Sequence, residues 1–142
     1  MNAHPSPIDN ERGASAVEFA VIAPILMLII VGVVEFGLLL NRIQVYESAA
    51  REGARAAAVR EDNGTITARV ATAAGAYGAN ITGPVSIEVI GGPTADPPCN
   101  DETTGMEVAV TWSQDFNDAL DFPLFPGIDI NDYEISGTFR CE

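Results

Sequence analysis

The sequence predicts an α+β protein: a long N-terminal transmembrane helix that continues outside the membrane, a second short helix, and a small antiparallel sheet of about three strands. Residues 19–40 are almost uninterruptedly apolar, and residues 41–60 are rich in alanine and arginine without any proline. In the C-terminal part, apolar and polar residues alternate, which is the period of a strand with one buried face. The predicted segments are a leader, 1–13, the helix, 14–60, and an exterior acidic α+β domain, 61–142.

The apolar segment is long enough to cross a bilayer. Residues 19–40 number 22, and Glu35 is the single ionisable residue among them. A hydrocarbon core of about 30 Å requires roughly 20 such residues in a helix. A cleaved secretory signal would be shorter and preceded by basic residues, whereas Asp9 and Glu11 here stand beside a single Arg12. We therefore expect a retained transmembrane helix at about residues 19–40.

The helix is predicted to run from about Ala14 to about Val59, because alanine favours helix and no proline follows the apolar segment. Ala49, Gly53 and Ala57 recur every fourth residue in its second half. Small residues at this spacing allow a neighbouring helix or sheet to approach closely. The alternative is that these residues serve helix propensity alone, and the sequence leaves both interpretations open.

The remaining elements follow from periodicity. Thr65–Tyr77 is predicted as a second helix ended by Gly78, and residues 113–131 as mostly loop because they contain Pro123, Pro126 and Gly127. Three alternating segments predict antiparallel strands with one buried face each. Their predicted core-facing residues are Val85, Ile87 and Val89, then Met106, Val108, Val110 and Trp112, and finally Tyr133, Ile135, Phe139 and Cys141.

The two cysteines, Cys99 and Cys141, both follow the apolar segment. A disulfide between them suits the oxidising side of a membrane. Closing a loop of this length stabilises the domain by about 4 kcal/mol in the chain-entropy model. Two unpaired thiols are the alternative. A metal site is not expected, because two distant cysteines and His4 supply too few ligands.

The predicted exterior domain is strongly acidic. Residues 61–142 contain 14 acidic residues against Arg69 and Arg140, and the chain has no lysine. Nucleic-acid binding is excluded, since phosphates repel such a surface. Residues 115–132 could form a calcium site, but they lack the spacing of an EF-hand loop. A solvated acidic surface is the favoured interpretation.

Three motifs occur in order: RGASAVEFAVIAP, then VEFG, then SAAREGARAAA. Together they resemble the TadE-like family, pseudopilins of the tight-adherence (Flp) pilus system, over about residues 12–58. The resemblance implies that a prepilin peptidase cuts between Gly13 and Ala14 and that Glu18 becomes the fifth residue. Phe19 then stands where the major pilins of the system typically have tyrosine. It also implies that the partners are other pilin-like subunits and the inner-membrane assembly platform.

The spacing of the glutamates suggests separate roles. An amine on Ala14 and the carboxylate of Glu18 lie about one helical turn apart at a membrane edge, where an unpaired charge is costly. In an assembled bundle Glu18 would pair with the amine of a neighbouring subunit, whereas in an isolated helix it would simply be solvated. Glu35 lies about 26 Å further along and is expected to reach water at the other edge. Pro24 removes one helical hydrogen bond and should soften the helix.

We therefore expect a minor or priming pseudopilin that works by helix–helix packing in the membrane. The alternative is a single-pass, membrane-anchored extracytoplasmic binding module with an uncleaved N-terminus. An enzyme is not expected, because the one histidine, His4, lies in the leader and no nucleophile or phosphate-binding motif is present. No cofactor is expected.

The sidedness of the exterior domain receives conflicting signals. The cysteines favour an extracytoplasmic domain, as does the resemblance. The positive-inside rule favours the opposite, because Arg12 alone precedes the apolar segment. Four arginines follow it: Arg42, Arg51, Arg55 and Arg60. We expect the extracytoplasmic placement.

Overall fold

The computed structural model describes residues 8–117 and 130–142, with side chains from Gly13 onward. The chain divides into two compact units, residues 1–38 and residues 39–142. The first helix, α1 (Ile8–Ala58), contributes to both units. The second unit also contains a shorter helix, α2 (Asn63–Ala73), a 3₁₀ helix (Gly75–Asn80) and three strands. The predicted loop over residues 113–131 falls largely outside the described residues.

Helix α1 begins earlier than the sequence predicted. It starts at Ile8 instead of near Ala14, so the described part of the predicted leader is helical. Residues 8–13 contain no proline, and acidic residues in a first turn favour helix formation. The helix also continues through Pro24. It ends at Ala58, as predicted, because Arg60 follows with a φ of 67°, a left-handed conformation that terminates the helix.

Helix α2 is shorter than predicted. Asp62 caps its N-terminus, accepting a hydrogen bond from the Thr65 backbone N–H at 3.0 Å. The Thr65 hydroxyl also donates to this carboxylate, at 2.7 Å, and these bonds lower the pKa of Asp62. The predicted range Thr65–Tyr77 is wrong at its C-terminal end. Gly75 has a φ of 58° and ends the α-helix, and a 3₁₀ helix replaces the last predicted turn.

The strands are β1 (Ser86–Val89), β2 (Glu107–Gln114) and β3 (Tyr133–Arg140). They form one antiparallel sheet in the order β1-β2-β3. The register places Val110 of β2 between Ile87 of β1 and Gly137 of β3. Together with the two helices, this sheet confirms the predicted α+β fold class.

The alternation correctly predicted the buried face of β1 and β2. Buried residues on this face are Val89, Val108, Val110 and Trp112, together with Ile135 of β3. Strand β2 also extends into the predicted loop as far as Gln114, whose buried amide donates to the Asn80 carbonyl at 3.0 Å.

Two residues of β3 differ from the prediction. Tyr133 and Phe139 share the parity of Ile135, but they are 38% and 42% exposed. Helix α1 approaches the middle of β3, where Gly137 lies directly against the backbone of Ala50. The two aromatic residues flank this crossing and are only partly covered. The alternation therefore identified which face of β3 points to the core, but not how much of that face is buried.

The small residues of α1 line the core of the second unit. Ala49, Gly53 and Ala57 are buried there. A Cβ on Gly53 would overlap Val70 of α2 and would lie 3.4 Å from Val110 of β2. Helix, helix and sheet therefore meet at a position that has no room for a side chain.

The predicted disulfide between Cys99 and Cys141 is present, with a Cα–Cα distance of 5.4 Å. Both cysteines are buried. The bridge ties the loop between β1 and β2 to the residue that follows β3, as the sequence indicated.

We predict that Gly53→Ala lowers the free energy of unfolding of the second unit by about 1–3 kcal/mol, because the added methyl overpacks the contact with Val70. Gly37→Ala is the matched control, since a Cβ on Gly37 meets no atom within 4 Å. Thermal unfolding of the full chain in detergent measures both variants. Equal stability of the two variants would contradict the tight contact at Gly53.

Candidate functional site on the N-terminal helix

The first unit presents an apolar helix surface that nothing in the described part of the chain covers. Exposed large apolar side chains occur on every side of α1, so the helix has no core-facing stripe in this segment. It is long and apolar enough to cross a membrane, by length and composition. The exposed residues are Val17, Phe19, Val21, Ile22, Ile25, Leu26, Met27, Leu28, Ile29, Ile30, Val31, Val33, Val34, Phe36 and Leu38.

The residues of the predicted processing and assembly site lie together at one end of this surface. Gly13, Ala14, Glu18 and Phe19 are all exposed. Ala14 and Glu18 are four residues apart on the helix, a rise of about 6 Å. Within the described residues, the Glu18 carboxylate has no hydrogen-bond or ion-pair partner. The site therefore offers an unpaired carboxylate next to an apolar surface.

The Gly13–Ala14 peptide bond lies inside α1, not at its end. A peptidase that cuts here must therefore open the first turns of the helix. Gly13 favours such opening, because glycine lowers helix stability by about 1 kcal/mol relative to alanine. A Cβ on Gly13 would meet no atom within 4 Å. Packing against the described residues thus gives no reason for glycine at this position.

Glu35 differs from its expected environment. The sequence suggested that its carboxylate reaches water at the membrane edge. In the structure the side chain is half-buried, and its Oε2 atom is inaccessible to solvent and accepts no hydrogen bond. At least one oxygen of the only ionisable residue in residues 19–40 is therefore unsatisfied in the single chain.

The predicted helix-packing residues are brought together in the second unit. Ala49, Gly53 and Ala57 are all buried, and Gly53 faces α2 and the sheet of its own chain. This face is filled by Val70, Ile66 and Val110. Its small residues therefore serve close packing inside the domain and are not open to another subunit.

An aromatic cluster around Tyr46 was missed in the sequence. The Tyr46 ring lies 6.2 Å from Tyr77, 6.1 Å from Trp112 and 5.8 Å from Phe116, between ring centroids. Its hydroxyl donates to the Tyr77 carbonyl at 3.2 Å. These residues are far apart in the sequence. The available signal was that Tyr46 lies three and four residues before Ala49 and Ala50, on the same face of the helix.

The arginines that follow the apolar segment have partners inside the second unit. Arg60 Nη1 lies 2.6 Å from Asp101 Oδ1, and its Nε donates to the carbonyl of Glu142 at 3.3 Å. This side chain therefore ties the end of α1 to a loop and to the last residue. The other pairs are Arg42 over the Tyr77 ring, Arg51 with Glu47, and Arg55 with Glu52.

Metal-binding side chains do not converge in the described ranges 8–117 and 130–142, where no group of three or more His, Cys, Asp or Glu could hold an ion. The acidic segment 115–132 is described only at its two ends. There Asn117 and Asn131 form a side-chain hydrogen bond, and Asn117 Oδ1 accepts from the Ile130 N–H at 3.1 Å. His4 lies outside the described residues.

Residues 13–55 match the family model described as TadE-like protein. The match confirms the resemblance for this segment, which lies within the helix that is long and apolar enough to cross a membrane. It covers the exposed apolar surface together with Ala49 and Gly53 of the small-residue face, and it ends before Ala57 and α2. No curated protein and no solved structure matches the chain.

Proposed function

We propose that this chain, which carries a TadE-like segment at residues 13–55, is a pseudopilin: a minor or priming component of tight-adherence pilus assembly. One observation carries the proposal. The family match coincides with an apolar helix surface that is exposed on all sides and has Gly13 and Glu18 at its start. Such a surface suits both a bilayer and a bundle of similar helices.

The proposed mechanism is helix–helix packing guided by one charge pair. Cleavage after Gly13 creates an ammonium group on Ala14, which enters the apolar region together with Glu18. Each unpaired charge there costs roughly 2.5–3.5 kcal/mol on insertion scales. A neighbouring helix shifted along its axis brings its own amine to the Glu18 carboxylate and removes this cost. The charge pair thereby selects one axial position of a helix relative to its neighbour. Apolar packing alone does not select a single position.

The partners that follow are a prepilin peptidase, other pilin-like subunits and the inner-membrane assembly platform. The TadE-like segment supports association with this machinery. Each of the three named partners belongs to the proposal. The role requires no catalytic residue and no cofactor, and we propose that the protein is not an enzyme.

We further propose that the second unit lies on the extracytoplasmic side of the membrane. The buried Cys99–Cys141 disulfide supports this placement, since disulfides persist in oxidising compartments. The arginine distribution favoured the opposite placement. However, Arg42 and Arg60 contact Tyr77 and Asp101 within the domain, so folding accounts for their positions without a retention signal.

We predict that the protein is cut between Gly13 and Ala14 in cells that contain the prepilin peptidase. Intact mass with and without the peptidase should differ by the mass of MNAHPSPIDNERG. Gly13→Leu should abolish the cut, because its bulk blocks close approach of the backbone to the peptidase. Gly37→Leu, a matched change at another open glycine of α1, should leave the cut intact.

A mature protein that still begins at Met1 would remove the pseudopilin proposal. It would favour the membrane-anchored binding module, whose helix needs no processing.

We predict that Glu18→Gln leaves membrane insertion intact, because it removes a charge from the apolar edge. Recovery of partner pilin-like subunits in pull-downs should nevertheless fall at least about ten-fold, because the charge pair that sets the register is lost. Glu35→Gln is the comparison in the same helix and should change recovery much less, because Glu35 lies 17 residues beyond Glu18 and is not a member of the proposed charge pair with the Ala14 amine. Undiminished assembly by the Glu18 variant would reduce the helix to an anchor.

We predict that Cys99 and Cys141 are fully bridged in protein taken from native membranes. Non-reducing peptide mapping with thiol alkylation during lysis measures the bridge. Free thiols at both positions would place the domain in the cytoplasm, as the arginine count alone suggested. The processing test does not depend on this result.

A further inference from the structure

In the ranges 8–117 and 130–142, no strand or loop pairs with the second edge of β3. Strand β3 pairs with β2 on one side only. The Cys141 N–H donates to the Met106 carbonyl and its carbonyl accepts from the Gly105 N–H, both at 2.9 Å, so the backbone groups of Cys141 point toward β2. Because these directions alternate along an antiparallel strand, Ser136, Thr138 and Arg140 direct theirs away from β2.

These outward groups have no backbone partner in the part of the chain that the structure describes. An open edge eight residues long is a template for another strand, and proteins usually protect such edges with lysine, proline or a covering segment. Strand β3 contains no lysine and no proline. Its Phe139 is 42% exposed beside the edge.

Strand β1 forms the opposite edge of the same sheet. The Ile90 N–H donates to the Glu107 carbonyl at 2.8 Å, so alternation directs the backbone groups of Ile87 and Val89 away from β2. The Val89 carbonyl accepts from the Gly92 N–H within a turn. Among the described residues, the outward groups of this edge without a backbone partner include both groups of Ile87, the N–H of Val89 and the carbonyl of Val85.

The two edges carry complementary side chains. Arg140 forms no salt bridge with a described residue, and its Nε donates to the Gly105 carbonyl. Glu88, at the other edge, also lacks an ion-pair partner among the described residues, and one of its oxygens accepts from the Ser86 hydroxyl at 3.1 Å. An unpaired cation and an unpaired anion thus stand on opposite edges of one sheet.

We infer that a second copy of this chain adds its β1 to the free edge of β3, as a parallel strand with Glu88 opposite Arg140. In this register the backbone N–H of Thr138 donates to the Val85 carbonyl of the second copy, and the Thr138 carbonyl accepts from the Ile87 N–H of that copy. Likewise, the backbone N–H of Arg140 donates to the Ile87 carbonyl, and the Arg140 carbonyl accepts from the Val89 N–H. These four hydrogen bonds use both backbone groups of Ile87, the N–H of Val89 and the carbonyl of Val85.

The side chains agree with this register. Thr138 stands next to Ser86 on the outer face of the sheet, and Arg140 stands next to Glu88. On the inner face, the exposed Phe139 ring is covered by Ile87 of the second copy. Opposite charges and apolar pairs on neighbouring strands each contribute to sheet stability.

The orientation of the copies selects β1 as the partner strand. Both β1 and β3 are antiparallel to β2, so they run in the same direction and a copy added through β1 repeats the orientation of the first. Two β3 strands paired antiparallel would instead relate two copies by a two-fold axis and use up the edge of both, so the assembly would stop at a dimer. The pairing of β3 with β1 joins different surfaces, so it can repeat from copy to copy. A pilus component needs a contact that repeats, and in this respect the inference rests on the proposed function.

Cysteine cross-linking in native membranes tests the contact. One tagged copy carries Thr138→Cys and a second, differently tagged copy carries Ser86→Cys. Neighbouring strands place these Cα atoms about 4.8 Å apart, within disulfide range. A mixed dimer is expected when both variants are present and not with either alone. Peptide mapping confirms that Cys99 and Cys141 remain bridged to each other.

Charge reversal tests the register. Arg140→Glu in the Thr138→Cys copy should lower the cross-linked fraction about five-fold, since like charges then face each other. Glu88→Arg in the Ser86→Cys copy should restore it. Glu102→Arg reverses the charge of an exposed loop residue and is the matched control. It should not restore the cross-linked fraction.

Absence of a mixed dimer, although both variants insert and keep the native disulfide, would overturn the inference. A dimer of Thr138→Cys with Ser136→Cys would also overturn it, because that pair reports antiparallel β3 strands. The same membranes are scored for cleavage after Gly13. Cleavage without a cross-link removes the strand contact alone, whereas a cross-link without cleavage removes the pilus role and leaves the contact.

Discussion

The close contact between α1 and the rest of the second unit is the constraint on which that unit depends. Gly53 allows Val70 and Val110 to reach the helix backbone, and Gly137 of β3 lies against the backbone at Ala50. Helix α1 cannot slide along α2 or along the sheet, because its backbone atoms would then overlap the atoms they contact. This fixes which face of the sheet is buried against α1.

The two units differ in whether their apolar side chains are buried. In residues 39–142, the apolar surface is buried by α2, the sheet and the aromatic side chains around Tyr46. In residues 13–38, the apolar side chains stay exposed around the whole helix. Exposed apolar surface of this extent marks a site of interaction with a membrane or with another protein. The first unit is therefore the part of the chain whose environment must come from outside it.

The few basic side chains of this acidic protein form local contacts. The formal net charge is -13, and arginine supplies every basic side chain apart from one histidine. Arg60 and Arg69 form short ion pairs with Asp101 and Glu61. Isolated surface pairs contribute little to stability, but a guanidinium that also bonds a backbone carbonyl fixes geometry. Arg60 does this at the end of α1.

The sequence by itself determined the elements with a strong period: the apolar helix, the strand faces of β1 and β2, and the end of α1 near residue 58. It also indicated the disulfide, because both cysteines follow the predicted transmembrane segment, which suits a bridge on the oxidising side of a membrane. The tertiary structure decided what depends on residues distant in the sequence. The 3₁₀ segment after Gly75, the exposure of Tyr133 and Phe139, and the partner of the Gly53 face are examples. Periodicity records which side of an element is apolar, but only the placement of neighbouring elements determines how much of that side is covered and which edge stays open.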